Sequence, residues 1–159
     1  MGYTIRDAVV GDMSEVHALI KELASFEKEA NAVEVTVDDL VRDGFGENVL
    51  FHCFVAEEDS RIVGMALIYN RYSTWKGPII HLEDLVVAET MRGTGLGTAL
   101  LDAVVSYAAK KGAKRINWEV LDWNEPAIAF YEKKGAKVMR DWDVVQLDEK
   151  GIQNYLDKI

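Results

Sequence analysis

Residues 81–97, HLEDLVVAETMRGTGLG, constrain this chain more than any other stretch. Residues 82–87 are apolar, finish in the β-branched pair Val86 and Val87, and are interrupted by Glu83 and Asp84, a pattern that predicts a strand. Residues 88–91 form a short polar connection. Residues 92–97, RGTGLG, predict a glycine-rich turn running into a helix over 96–111, whose Leu96, Leu100, Val104 and Ala108 make one apolar stripe before Gly112 stops it. A strand that feeds a helix through closely spaced glycines builds an anion site. The first N–H groups of the helix have no intrahelical partner, and the dipole there is positive. Glycine lets the backbone approach a phosphate closely, and Arg92 adds a permanent cation.

Several ligands can be weighed for such a turn. It is not a P-loop, because no Gly-Lys-Ser/Thr follows. A dinucleotide fingerprint asks for G-x-G-x-x-G after a strand and an acidic residue about 20 positions on. Gly93, Gly95 and Glu119 fit, but Thr98 stands at the third glycine position and the motif follows several earlier predicted strands. A glycine turn without a ligand is the plain alternative. Arg92, the alternating Gly93, Gly95 and Gly97, and the long helix weigh against it.

The remaining pattern predicts a first strand over 3–8, a capping box from Asp12 and Glu15, and a helix over 13–29. Thr36 with Asp39 predicts a second cap, on a short helix through Val41 that ends before Gly44. Two strands, 51–57 and 62–72, read as a hairpin, and 72–78 as a loop carrying Trp75. After the glycine turn and its helix come a strand over 115–121 and a helix opened by Asn124-Glu125-Pro126 and ended by Gly135. Short strands over 138–142 and 143–147 and a terminal helix over 152–159 complete the pattern. The order β, α, α, β, β, β, α, β, α, β specifies an α/β fold with a mixed sheet, in one domain over 1–159.

A net charge of −9 argues against a nucleic-acid or anionic-membrane partner, both of which call for basic patches. Cys53 is the only cysteine, so no internal disulfide forms, and its apolar surroundings predict a buried inert thiol. No apolar run reaches membrane-spanning length and no leader-like segment stands at the start, so a cytoplasmic protein is expected. His17, His52 and His81 lack metal-ligand spacing, and no metal is expected.

Arg92-x-x-Gly95-x-Gly97 resembles the pyrophosphate loop of the GCN5-related N-acetyltransferases. Four stretches, DGFGE at 43–47, HCFVAE at 52–57, residues 82–97 and WNEPAIAFYEKKGA at 123–136, are similar to the diamine and thialysine N-acetyltransferase subgroup of that superfamily. The resemblance implies the acyl-CoA N-acyltransferase fold, a mostly antiparallel mixed sheet flanked by helices. It implies acetyl-CoA as co-substrate, a small amine as acceptor and a homodimer in which the apolar Val144, Val145 and Leu147 meet the partner. It assigns the cofactor to Leu85, Val86 and Val87, to Arg92, Gly93, Thr94, Gly95, Leu96, Gly97 and Thr98, and to Asn124, Ala127 and Tyr131. The chain departs from the subgroup in two places: Arg140 stands where an acidic residue precedes the tryptophan, here Trp142, and Phe26 stands where tyrosine is usual, beside Glu27. Both departures weigh against a long polyamine.

Acetyl transfer to a primary amine makes demands that can be set against residues. A leaving thiolate, pKa about 8.5, can be protonated by a tyrosine of pKa about 10, and the resemblance gives Tyr131 that role. From periodicity alone, Tyr131 is a packing aromatic beside Phe130. A lysine-like amine is only about 0.1% neutral at pH 7 or less, so a proton acceptor is needed. Glu83 is the first candidate, as carboxylate or through water, and Asp84 the second. Neighbours on a strand face opposite ways unless a bulge intervenes. Phe26, Glu27, Glu83, Asp84 and Trp142 are the expected acceptor-binding residues. A non-catalytic acyl-CoA-binding module and an enzyme acting on protein amines are the competing readings.

Overall fold

The computed structural model describes residues 2–159, which divide into two compact units, one ending at Glu119 and the other Val120–Ile159. The first unit holds one five-stranded sheet in sequence order: β1 (Thr4–Asp7), β2 (His52–Glu58), β3 (Arg61–Ser73), β4 (Gly77–Val87) and β5 (Ile116–Asn117). The first four strands are antiparallel to their neighbours and β5 runs parallel to β4, so the mixed sheet expected from the sequence is present. Asp59 and Ser60, both at positive φ, form the two-residue turn of the predicted β2–β3 hairpin.

The middle of β3, from Gly64 to Ile68, is buried throughout, because helices cover both faces of the sheet. On one face α1 (Met13–Phe26) and α2 (Val37–Phe45) bring Met13, Val16, Leu19 and Leu40 against Cys53, Val55, Met65, Leu67 and Val86. On the other, α3 (Leu96–Lys110) buries the predicted stripe Leu96, Leu100, Val104 and Ala108. A Cβ at Gly64 would stand 3.1 Å from Leu100 Cδ1 and 3.2 Å from Leu96 Cδ2, so the glycine is what lets α3 seat this closely.

Tertiary contacts changed several local expectations. Asp12 does not form a capping box with Glu15. Its carboxylate accepts from Arg6 at 2.7 and 3.0 Å and from Val9 N–H at 2.8 Å, while Glu15 accepts from Arg61 Nε and Ile62 N–H. The helix expected over 13–29 ends at Phe26, and Lys28 takes up a φ of 64°. The Thr36–Asp39 box forms as expected, but α2 runs on through Gly44. There the Phe51 ring lies 2.5 Å from where a Cβ would stand, so this glycine is a packing residue and not a stop. The strand expected over 115–121 is two residues long.

In the second unit, α4 (Glu125–Lys133) starts as predicted: Ala127 N–H donates to Asn124 Oδ1 at 3.3 Å and Pro126 sits in the first turn. A terminal helix, α5 (Glu149–Leu156), is capped by Asp148. The strands expected over 138–142 and 143–147 do not form. An apolar run becomes a strand only with a ladder partner, and none pairs with this segment among the described residues; Val145 is 92% exposed. No helix of the described residues is long and apolar enough to cross a membrane.

Candidate active site

The acidic pair of β4 sits on a bulge. Ile68 pairs with Leu82 and Leu67 with Asp84, so Glu83 is the extra residue. The consequence is a change of parity. Leu67 and Tyr69, two apart on β3, share a face; their partners Asp84 and His81 are three apart on β4 yet share it too. Glu83 joins them there, accepting from Tyr69 Oη at 3.2 Å. Both carboxylates therefore lie on the α1 face, where regular alternation would have separated them.

Glu27, at the C-cap of α1, completes the group. Burial pushes the Asp84 carboxyl up to about 6, with Glu83 and then Glu27 adding repulsion. Burial also raises Glu27. Burial, then the charge of Glu83, raises the Tyr69 hydroxyl. His81, 6% exposed, has its Nε2 3.9 Å from Glu83 Oε1, and burial holds its imidazole below the usual range against the pull of that carboxylate. Tyr69, Arg71 and His81 were not foreseen as site residues. His81 is two positions before Glu83 and could have been suspected. Tyr69 and Arg71 enter only through the β3–β4 register.

Past this group the two edges of β4 differ. Its ladder to β3 continues through Leu85, Val86 and Val87, while its ladder to β5 ends at His81. The backbone of these three residues is thus paired on the β3 side alone among the described residues. Val86 is buried in the α1-side core, while Leu85 and Val87 are half-buried.

The glycine turn follows at once. Residues 92–95 are exposed, Gly95 is the N-cap of α3 with a φ of 88°, and Thr94 Oγ1 donates to Met91 O at 2.6 Å. No side chain caps the helix and no acidic residue lies in its first turn. Ala99 N–H bonds to Gly95 O, leaving the N–H groups of Leu96, Gly97 and Thr98 ahead of the first intrahelical bond. Leu96 buries its side chain in the sheet, so only its backbone serves the turn. Arg92 is positioned over the Phe26 ring, 5.7 Å from the centroid, with Glu22 3.9 Å from its guanidinium. Exposed donors, a helix start without an acid and a nearby guanidinium suit the pyrophosphate of a coenzyme. Phe26, expected against the acceptor, supports Arg92 as well.

The other expected residues lie in the second unit. Asn124 caps α4 and binds Ala127 N–H, and Tyr131, further along α4, packs edge-on against Phe130 at 5.4 Å. Trp142 is 66% exposed in the irregular segment.

Four likenesses bear on these features. A sequence profile of the acetyltransferase (GNAT) family matches residues 16–136. The thialysine N-epsilon-acetyltransferase of Mus musculus is 40% identical over 141 residues, covering 84% of this chain and 83% of that protein. The spermidine/spermine N(1)-acetyltransferase-like protein 1 of Homo sapiens is 37% identical over 141 residues, covering 84% of this chain and 20% of that protein. Among solved structures, an integron cassette protein from the mobile metagenome of V. cholerae superposes with a TM-score of 0.81 at 22% identity, over 100% of this chain and 99% of that one.

Proposed function

The chain belongs to the acetyltransferase (GNAT) family, and from that premise we propose that it moves the acetyl group of acetyl-CoA to the primary amine of a small cationic acceptor. The observation that carries this reading is the bulge at Glu83, which gathers Glu27, Glu83 and Asp84 immediately before the one-sided backbone of Leu85–Val87 and the uncapped start of α3. Negative charge for an ammonium, a half-paired strand and an anion site follow one another within a few residues.

Each part has a task in this proposal. Arg92 and the backbone of Gly93, Thr94, Gly95, Leu96, Gly97 and Thr98 hold the pyrophosphate. Leu85–Val87 pair through their backbone with the amide chain of the pantetheine arm, and a β4 N–H stabilises negative charge on the carbonyl oxygen as the amine attacks. When bound, the coenzyme supplies an activated acetyl thioester. Glu27 and Glu83 attract the ammonium. Asp84 takes its proton: a carboxyl at about 6 is still largely ionised at neutral pH, yet is a stronger base than an ordinary aspartate. Glu83 can relay that proton through water. The family resemblance gives Tyr131 the return of a proton to the departing thiolate, and Asn124 and Ala127 the binding of the coenzyme. The identity with a thialysine acetyltransferase favours a lysine-like amine as acceptor.

The test is thiol release from acetyl-CoA with polyamines, lysine, thialysine and short peptides as acceptors, in wild type and Tyr131→Phe. Amine-dependent release by the wild type is expected, with turnover lower by roughly 10²–10⁴-fold in the variant, the usual worth of a positioned proton donor. Coenzyme binding without release for any amine would indicate a binding module instead. Near-normal turnover by the variant, with chemistry rate-limiting, would reduce Tyr131 to packing.

A further inference from the structure

Arg71 differs from most of the arginines around the first unit's sheet. Arg6, Arg42, Arg61 and Arg92 each pair with a carboxylate, and Arg115 Nε donates to Asn117 Oδ1 at 2.8 Å. Arg71 forms no ion pair among the described residues, although the chain carries a net charge of −9 and Glu83 stands on the same sheet face. Its Nη1 lies instead 3.5 Å from Nδ1 of the buried His81. A guanidinium has donors only, so Nδ1 accepts and the ring proton sits on Nε2, turned toward Glu83 Oε1 at 3.9 Å. One chain of polar contacts thus runs from Arg71 through His81 to the acidic bulge.

Position on the sheet gives this chain its meaning. Leu67, Tyr69 and Arg71 alternate along the α1 face of β3, opposite Asp84 and His81. Asp84 pairs with Leu67, two residues along β3 from the Tyr69 that pairs with His81, so the acidic bulge lies within about 7 Å of His81 along the face at ~3.3 Å per residue. A cationic group and an acidic group are therefore set apart on one face, with Arg71 exposed at its outer end. Carboxylates alone would favour a diamine at both of its ends. A guanidinium at the far end repels a second ammonium and receives a carboxylate in a two-pronged hydrogen bond. The span suits an α-amino acid of lysine or ornithine length.

We propose that Arg71, held by His81, is a specificity residue that binds the carboxylate of an amino-acid acceptor while the acceptor's side-chain amine lies at Glu83 and Asp84. The assignment rests on the acetyl-transfer reading for the reaction it serves, but the carboxylate contact can be measured apart from turnover.

The test compares kcat/KM for L-lysine and for 1,5-diaminopentane, the same chain without its carboxylate, in wild type, Arg71→Gln and Arg71→Lys. The lysine-to-diamine ratio should fall about 10- to 100-fold in Arg71→Gln, mainly through KM for lysine. It should recover in part in Arg71→Lys, which keeps the charge but not the fork. Calorimetric titration of L-lysine into the same three proteins reads the contact without chemistry. Binding lost in Arg71→Gln sustains the carboxylate site even where no acetyl is transferred, and then the acetyl-transfer reading alone fails. An unchanged ratio, lysine binding unaffected by the substitution or absent from the wild type, or an equal loss on both acceptors would each overturn the assignment.

Discussion

In the proposed reaction, Asp84 is where chemistry and stability oppose each other. Its carboxyl is moved from the ordinary 3.8 to about 6, first by burial and then by Glu83 and Glu27. A folded-state pKa above the unfolded one means that the folded chain keeps a proton the unfolded chain releases. Stability therefore falls as pH rises through that window, and the cost persists at neutral pH. Asp84→Asn removes the charge and should stabilise the fold near neutral pH, by about 3 kcal/mol at most, raising the thermal midpoint there, with the advantage disappearing as pH falls toward 4. The same substitution should lower turnover by roughly 10²–10⁴-fold, and wild-type activity should climb with pH through about 6. Melting curves across that range, read beside turnover, check both halves. A variant neither stabilised near neutrality nor impaired would deny Asp84 its role.

At the scale of an element, the start of α3 is the part most exposed to a single backbone change. Gly95 has a φ of 88° and nothing within 4 Å of where a Cβ would stand, so a substitution there is strained by conformation and not by crowding. A β-branched residue is the worst choice at such a φ. Gly95→Val should remodel the turn and remove measurable acetyl-CoA binding by calorimetry. The fold should survive, because residues 92–95 are exposed while the stripe Leu96, Leu100, Val104 and Ala108 keeps α3 seated. Unchanged affinity would mean that the pyrophosphate lies elsewhere. This element was the most legible in the sequence, because a turn of this kind is local: a strand end, glycines, a cation and a helix start within a few consecutive residues. The bulge one strand earlier was not legible. Its register depends on how β3 pairs with β4, and a shift of one residue there decides whether Glu83 and Asp84 share a face.

For the whole molecule, the proposal carried by family resemblance is a homodimer. Val144, Val145 and Leu147 are 61%, 92% and 58% exposed, and the segment they occupy found no strand partner among the described residues. An apolar run left in water is a surface for a partner. Light scattering at micromolar concentration should return about twice the 17.8 kDa chain mass, and Val145→Lys should return it to one. A monomeric wild type at that concentration would overturn the dimer.

What the sequence determined by itself was whatever depends on near neighbours along the chain: the Thr36–Asp39 cap, the Asp59–Ser60 hairpin turn, the α3 stripe, the Asn124 cap and the glycine turn behind Arg92. Tertiary structure alone decided what depends on partners distant in sequence. It sent Glu15 to Arg61 in place of a capping box, and it kept β5 to two residues. It left the segment before α5 without a ladder, and it brought Tyr69, Arg71 and His81 onto the face that the bulge gave to Glu83 and Asp84. The physical reason is the range of the forces that choose. Capping and turn geometry are settled within four or five residues of chain. A carboxylate finds its cation, and a strand its register, only when the burial of a common core brings remote segments together.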